Sequence, residues 1–191
     1  MQESIWLTKI AFMNEQTTQQ YQDIIAECKE VFEKKTRDYG TAWRILRLSS
    51  ITDQLFIKAQ RIRSIQEKGE QKIEDEVAND FIGIINYCII ALIQMNLTME
   101  DSMEIPFEEL ESKYDKATSE TLKLLEDKNH DYGEAWRDMR IGSITDIILM
   151  KLFRVKQIED NSGATLISEG VDANYQDMLN YSVFALILIR E

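Results

Sequence analysis

The chain contains few of the residues that interrupt regular secondary structure. Its 191 residues include one proline and seven glycines. Sandwiches and barrels need a turn about every ~8–12 residues, and turns draw on glycine, proline and asparagine. Because both breakers are scarce and apolar residues recur at helical spacing, the sequence predicts an all-α fold.

Cysteine and histidine are rare as well. Cys28 and Cys88 lie within apolar helical patterns without metal-ligand spacing, and His130 is the only histidine. This composition argues against a disulfide scaffold, a zinc site and a histidine-based triad. No signal-peptide pattern is present, and the longest apolar stretch, Tyr87 to Ile93, is shorter than the ~18 residues that a membrane span needs. We therefore expect a cytoplasmic protein without a membrane partner.

Basic residues are outnumbered by acidic ones. The chain has 22 Lys and Arg against 34 Asp and Glu, which gives a net charge of −12. Proteins that coat nucleic acid obtain their affinity by neutralising phosphates with Lys and Arg. The acidic balance therefore argues against nucleic acid as the main partner.

An internal duplication organises the chain. Residues 31–66 align without a gap with residues 124–159 at a shift of 93, and 16 of the 36 aligned pairs are identical. After one inserted residue, the third helices align at a shift of 94. We place the two copies at residues 1–98 and 99–191. They predict a helical bundle of two tandem, pseudo-two-fold related three-helix repeats that form one compact unit.

The repeat boundaries follow from hydrophobic spacing and from helix start and stop signals. The predicted helices cover about residues 17–37, 51–68 and 75–95 in the first copy and 106–128, 144–160 and 170–189 in the second. Gly40 and Gly133 follow the first helix of each copy and supply the freedom that a helix end requires. Ser50 and Ser143 are the predicted N-caps of the second helices.

Charged residues are preserved between the copies, although two cores need only share apolar character. Asp53, Lys58 and Arg61 fall on one broad face of the second helix. Since ammonium and guanidinium groups match phosphate oxygens, this face predicts a phosphate site. The alternative is a solvated face on which Asp53 caps the helix. The second copy repeats the spacing in Asp146, Lys151 and Arg154.

Acidic residues gather at the start of the third helices. They are Asp75, Glu76 and Asp80 in the first copy and Glu169, Asp172 and Asp177 in the second. Carboxylates three to five residues apart on a helix can converge on Mg²⁺, whereas acids in a first turn also suit the helix dipole. The dipole does not explain Asp177, about two turns into its helix, and both interpretations stay open.

Aromatic and amide residues recur beside the preserved cations. The aromatic ones are Tyr39 and Trp43 in the first copy and Tyr132 and Trp136 in the second. They could stack on a nucleobase, or plug a helix corner with an arginine against the tryptophan. Asn86 and Asn180 lie among apolar neighbours. Because buried amides need partners, they either fix the register of the bundle or contact a ligand.

These motifs together resemble a known family. Lys35-x-x-Asp38-Tyr39-Gly40, Lys58-x-x-Arg61 and Asn86-Tyr87 resemble nucleotide modification associated domain 1, a family of unknown function that is seen in phages and bacteria, including tandem forms. It is more distantly similar to the MazG-like all-α nucleoside triphosphate pyrophosphohydrolases, in which helical acids hold Mg²⁺ and water attacks the triphosphate. The resemblance covers about residues 20–95 and 110–189, and it implies nucleotide chemistry with a Mg²⁺ cofactor.

The chain also departs from these relatives. Its second helix lacks the paired acids of the MazG-like enzymes. Phage relatives tend to carry acids four residues apart just before the Asn-Tyr pair. At those positions this chain has Asn79 and Gly83 in the first copy and Ala173 and Asp177 in the second.

The leading hypothesis is a protein that binds a nucleotide or a related phosphorylated small molecule. A Mg²⁺-dependent pyrophosphohydrolase activity would be its catalytic form, and whether the protein is an enzyme stays open. Phosphate binding is assigned to Lys35, Lys58, Arg61, Lys128, Lys151 and Arg154. Base binding is assigned to Tyr39, Trp43, Asn86, Tyr132, Trp136 and Asn180. Mg²⁺ is assigned to the six acids of the third helices, and catalytic roles to Asp53, Asp146 and Asp177.

A competing hypothesis is a non-catalytic interaction or scaffold bundle. Its repeated charged residues would form structural salt bridges between the copies. Nucleic-acid binding through the Arg-Trp segments is a third hypothesis, which the net charge disfavours. Association into homo-oligomers is expected for an apolar bundle, although nothing in the sequence indicates the stoichiometry.

Overall fold

Six α-helices and two short 3₁₀ turns build the protein. The computed structural model describes residues 15–69, 76–98, 100–164 and 169–191, with the side chains of 129–132 excepted. The helices are α1 (Glu15–Tyr39), α2 (Leu48–Lys68), α3 (Val77–Met95), α4 (Phe107–Tyr132), α5 (Ile141–Asp160) and α6 (Val171–Arg190). The 3₁₀ turns cover Ala42–Ile45 and Ala135–Asp138. The described ranges contain no strand, so the all-α prediction with three helices in each repeat is confirmed.

The first helix of each repeat ends at the predicted glycine. Gly40 and Gly133 have φ angles of 60° and 62°. This left-handed backbone conformation carries no steric penalty for glycine, and it stops the helix. The 3₁₀ turn that follows in each repeat was not predicted.

The second helices begin earlier than predicted. α2 starts directly after Arg47 and α5 directly after Arg140, and neither residue makes a side-chain capping hydrogen bond. Ser50 and Ser143 lie inside the first turn, so their prediction as N-caps is wrong. Arg47 and Arg140 have extended backbones directly after the 3₁₀ turns. The chain therefore re-enters a helix as soon as it leaves the turn.

The two repeats share one hydrophobic core. α3 and α6 pack against each other at its centre, α2 flanks α3, α5 flanks α6, and α2 also packs on α5. α1 and α4 each contact both central helices. A single cluster of buried apolar residues runs through all of them. The boundary near residue 98 therefore describes the duplication rather than two separate cores.

The central helix α3 is unusually apolar. By length and composition alone, it is long and apolar enough to cross a membrane. The expectation that no segment reaches this level is therefore wrong for α3. Neighbouring helices bury 67% of its apolar window. A helix that is apolar on all sides is typical of the centre of a bundle as well as of a membrane span.

Two buried hydrogen bonds tie the repeats together in matching places. Tyr21 on α1 donates to Asn180 Oδ1 at 2.9 Å, and its equivalent Tyr114 on α4 donates to Asn86 Oδ1 at 3.0 Å. Each tyrosine reaches the central helix of the other repeat. The register of the bundle is therefore held by polar pairs inside an apolar core, where alternative pairings would leave these groups unsatisfied.

Both cysteines belong to this core. Cys28 and Cys88 are free and buried. Burial is the largest cause that raises the pKa of both thiols above their ordinary range. Since the thiolate is the reactive form, these cysteines act as packing residues.

Candidate functional site

A cavity of about 520 Å³ opens in the first repeat, where α1, the 3₁₀ turn and α3 meet. Trp43 and Tyr87 line it together with two cations, Lys35 and Lys58, and with Gly83 on α3. None of the described residues that line this cavity is acidic, although the whole chain carries a net charge of −12. The cavity therefore combines aromatic and cationic groups in an acidic protein.

The two lysines of this cavity differ in their surroundings. The Nζ atom of Lys58 lies 3.8 Å from Oδ1 of Asp80, whose other oxygen is bound by Arg61. The Lys58 side chain crosses Gly83 so closely that a Cβ atom there would approach Lys58 Cε to 2.7 Å. Lys35 is exposed and has no ion pair within the described part of the chain. Arg61, also predicted to bind phosphate, is bound to Asp80 and does not line the cavity.

The aromatic side of the cavity contains an unsatisfied donor. Trp43 Nε1 is buried and has no hydrogen-bond partner among the described residues, as is also true of Trp136 Nε1 in the second repeat. Buried N–H groups are normally bonded to protein or water. Tyr39 is 71% exposed at the rim. Because this atom is unsatisfied in both repeats, it does not distinguish the two cavities.

The second repeat has a cavity of about 610 Å³ at the equivalent place. Asp177, which stands where the first repeat has Gly83, accepts hydrogen bonds from Lys151 at 2.5 Å and from Lys128 at 2.7 Å. Burial opposes the charge on Lys128, but its hydrogen bond and attraction to Asp177 outweigh this and raise its pKa. Both lysines predicted to bind phosphate here are therefore bonded to one carboxylate of the protein itself, which offsets one of their two positive charges.

The tryptophan of the second repeat contacts both an aromatic ring and a guanidinium group. The Phe184 ring stacks on Trp136 with centroids 4.2 Å apart and an interplanar angle of 4°. The guanidinium of Arg137 lies 4.5 Å from the Trp136 ring centroid. Ile90 stands at the position of Phe184 in the first repeat. Both tryptophans therefore line a cavity, but among the described residues only Trp136 has an aromatic ring stacked on it.

The two asparagines are used by the core. Asn86 Nδ2 donates to the Cys28 carbonyl at 2.9 Å, in addition to the bond that its Oδ1 accepts from Tyr114. Asn180 accepts from Tyr21. Both side chains are buried, although they also border their cavities. Of the two predicted roles, fixing the register has direct contacts, and base binding stays a prediction.

The predicted magnesium ligands are not gathered at one point. Asp75 lies outside the described residues, and Glu76, Glu169 and Asp172 are exposed. Asp80 and Asp177 are buried, but each already holds a cation. The described ranges contain no group of three or more metal-ligating side chains. Because Mg²⁺ needs converging oxygen ligands, these residues do not fit a magnesium site.

Asp53 and Asp146 lie outside both cavities. Asp53 pairs with Lys156 at 2.6 Å, and Asp146 pairs with Arg63 at 3.6 Å. Lys156 and Arg63 are equivalent positions, so the two ion pairs link α2 and α5 symmetrically. These carboxylates therefore connect the repeats, and their predicted catalytic role has no contact with either cavity.

Two further predicted residues are outside the contacts described above. Arg154 is exposed. Its equivalent in the first repeat, Arg61, is bound to Asp80, but the second repeat has Asn174 at the position of Asp80. Asn174 instead donates to the Gly170 carbonyl at 2.8 Å. The Tyr132 side chain lies outside the described residues.

The preserved arginines beside the tryptophans have structural roles that the sequence did not indicate. Arg44 is buried and donates to Gln94 Oε1 at 2.8 Å and to the Thr98 carbonyl at 3.1 Å, which anchors the connector between the repeats. Arg137 donates to Thr17 and Glu191 at 2.6 Å each, which fastens the ends of the described chain to the bundle. Nucleic-acid binding through these segments stays a prediction.

Gly83 is the site residue that sequence reasoning undervalued. A glycine inside a helix costs about 1 kcal/mol relative to alanine, and it often has a packing or functional reason. Here the reason is the close approach of Lys58. The sequence did contain a signal for this site: a glycine in the middle of a helix aligns with an aspartate, Asp177, in the other copy.

The fold and the two cavities define a class: an all-α protein built from a duplicated helical unit with a cavity in each copy. Residues 35–95 and 128–189 match the family model described as nucleotide modification associated domain 1, so the chain belongs to this family. The two matched segments follow the two repeats. No curated protein and no solved structure matches the chain. The match does not extend to the MazG-like enzymes, so that similarity stays a prediction.

Proposed function

We propose that the first repeat binds a nucleotide or a related phosphorylated aromatic molecule in its cavity. The observation that carries the proposal is the charge of the lining: Lys35 and Lys58 are present and no described lining residue is acidic. An acidic protein repels anions at long range. Two lysines that line one cavity therefore favour an anionic ligand held at short range, and phosphate oxygens suit ammonium groups.

The aromatic side of the cavity supports a ligand with a planar ring. Base stacking on aromatic side chains contributes about 1–3 kcal/mol per base. Trp43 offers both a ring and a buried N–H without a partner among the described residues. A nucleobase can supply the stacking face for this ring. The name of the family, which refers to nucleotide modification, points to the same ligand class.

The proposal is one of binding and does not include a protein-held metal. The acids that the resemblance assigns to Mg²⁺ are exposed, ion-paired or outside the described residues. A Mg²⁺-dependent pyrophosphohydrolase activity is therefore the finer hypothesis, for which the described side chains do not supply the ligands.

Isothermal titration calorimetry with nucleoside mono- and triphosphates of the common bases, with and without Mg²⁺, tests the proposal. Lys35→Ala is expected to weaken binding at least about ten-fold, since a hydrogen bond to a charged group contributes about 1.5–3 kcal/mol. Lys34→Ala is the matched control, because Lys34 pairs with Glu30 and does not line the cavity. The absence of binding by every nucleotide at millimolar concentration would remove the proposal.

A second candidate function is a scaffold bundle without a small-molecule ligand. The ion pairs from Asp53 and Asp146 across the repeats favour it, because they are the inter-copy salt bridges that this hypothesis requires. Lys58→Ala separates the candidates. A ligand-binding lysine leaves the melting temperature nearly unchanged when removed, whereas a structural lysine lowers it clearly.

A further inference from the structure

The second repeat carries an anion between its two lysines. The Asp177 oxygens lie 2.5 Å from Lys151 Nζ and 2.7 Å from Lys128 Nζ. In the first repeat the equivalent lysines are Lys58 and Lys35, and the equivalent of Asp177 is Gly83. One side-chain carboxylate thus bonds to both lysines in the second repeat. In the first repeat Lys58 lies 3.8 Å from Asp80 on α3, and Lys35 has no ion pair within the described part of the chain.

The second repeat also carries a planar ring on its tryptophan. Phe184 lies parallel to Trp136 at 4.2 Å, which is the arrangement of an offset or stacked aromatic pair. Ile90 takes this position in the first repeat and lines the cavity beside Trp43. An aliphatic side chain cannot stack, so the ring of Trp43 has no aromatic partner from α3.

These two substitutions occur together and on one face of a helix. Positions 177 and 184 are seven residues apart, which places them about 10 Å apart along the axis and within about 20° of the same face. The cavities have similar volumes, about 520 and 610 Å³. The two repeats therefore have cavities of similar volume, and they differ mainly in the side chains that contact the lysines and the tryptophan.

We propose that the second repeat imitates, with its own Asp177 and Phe184, the ligand that the first repeat binds. The inference rests on the proposed function. Phe184 stands for the base and Asp177 for the phosphate, so the chain binds one ligand and not two. The ligand's ring lies against Trp43, and its anionic group lies between Lys35 and Lys58. A separation of about two helical turns suits a nucleoside with more than one phosphate better than a monophosphate.

An exchange of these residues tests the proposal by calorimetry with the tightest nucleotide of the panel. Asp177→Gly combined with Phe184→Ile gives the second repeat the side chains of the first at these two positions, while Asn174 still stands where the first repeat has Asp80. The variant should raise the stoichiometry from one to two. Gly83→Asp combined with Ile90→Phe should abolish binding. The new Cβ displaces only the flexible end of Lys58. A wild-type stoichiometry of two overturns the proposal, as does a folded first variant that still binds one ligand.

A rescue experiment keeps the proposal testable if the double variant does not fold. Asp177→Gly alone leaves the buried Lys151 without its carboxylate, and it should lower the melting temperature. Millimolar inorganic phosphate should then restore the melting temperature by several degrees more than chloride at equal ionic strength. Asp115→Gly is the matched control, because it removes an exposed carboxylate paired with Lys29. The control should show no phosphate-specific rescue.

The two experiments separate this inference from the proposed function. In one outcome, phosphate rescues Asp177→Gly but the wild type binds no nucleotide. This result supports the role of Asp177 as an internal anion and removes the proposed function. Nucleotide binding by the wild type with neither rescue nor a second site removes the imitation and leaves the proposed function standing.

Discussion

The two repeats place the same lysine in opposite situations. Lys151 in the second repeat is 9% exposed and bound to a buried carboxylate at 2.5 Å. Its equivalent Lys58 in the first repeat is 29% exposed and 3.8 Å from the nearest acid. The difference comes from the position of the aspartate on the third helix of each repeat. α3 carries Asp80 where α6 has Asn174, and α6 carries Asp177 about one turn later, where α3 has Gly83. It teaches that preserved residues in a duplicated protein need not have a preserved role.

The largest expected effect is a difference in stability between the two lysines. Lys151→Ala removes one cation from the buried Asp177, and breaking a buried pair typically costs about 3–5 kcal/mol. We expect about 3 kcal/mol, because Lys128 remains bonded. Lys58→Ala should cost less than about 1 kcal/mol, since Arg61 still holds Asp80. Urea denaturation measures both, and equal losses would contradict the comparison.

A smaller effect is expected where the repeats agree. Tyr21→Phe and Tyr114→Phe each leave a buried asparagine carbonyl without its tyrosine donor, which costs about 1–2 kcal/mol. Because the two bonds are equivalent, at 2.9 and 3.0 Å, the free energies of unfolding should fall by similar amounts. A large loss at only one tyrosine would show that the register is held from one side. Equilibrium denaturation monitored by circular dichroism makes the measurement.

The exposed pairs between the repeats should contribute less. Asp53→Asn weakens an ion pair with Lys156 in which the carboxylate is largely exposed. Such pairs are screened by solvent, so the melting temperature should fall by less than about 3 °C. Nucleotide affinity should not change, because Asp53 lies outside both cavities. Loss of a catalytic activity in this variant would instead restore its predicted catalytic role.

The smallest expected effect concerns pH. Glu159 accepts a hydrogen bond from Thr52 at 2.8 Å, whereas its equivalent Gln66 donates to Thr145 at 3.0 Å. Burial is the main cause that raises the pKa of Glu159. The folded protein therefore holds this proton more tightly than the unfolded chain does, and stability increases as the pH falls through the raised pKa.

Glu159→Gln should remove this dependence by matching the other repeat. We expect a melting temperature about 1 °C higher than that of the wild type at neutral pH, and a smaller difference in mildly acidic buffer. Differential scanning fluorimetry across pH 4–7 is sufficient. A variant that is less stable than the wild type at neutral pH would show that the carboxylate is favourable where it stands.

The sequence predicted which residues belong to the candidate site, but it did not predict which residues they contact. Lys35, Lys58 and Trp43 were all named, and they line one cavity. Asp53 and Asp146 share a helix face with cations, yet they meet the neighbouring helix of the other repeat. Helical spacing places residues on a face, but it does not say which helix that face meets.

Local physics accounts for what the sequence determined by itself. Six helices in two copies could be predicted because the signals that define a helix are local. These signals are the scarcity of proline, the glycines after α1 and α4, and apolar residues at helical spacing. Tertiary packing decided which copy keeps a cationic cavity. The acids that meet Lys58 and Lys151 lie on another helix, Asp80 on α3 and Asp177 on α6. Only the contact of α2 with α3, and of α5 with α6, brings those groups together.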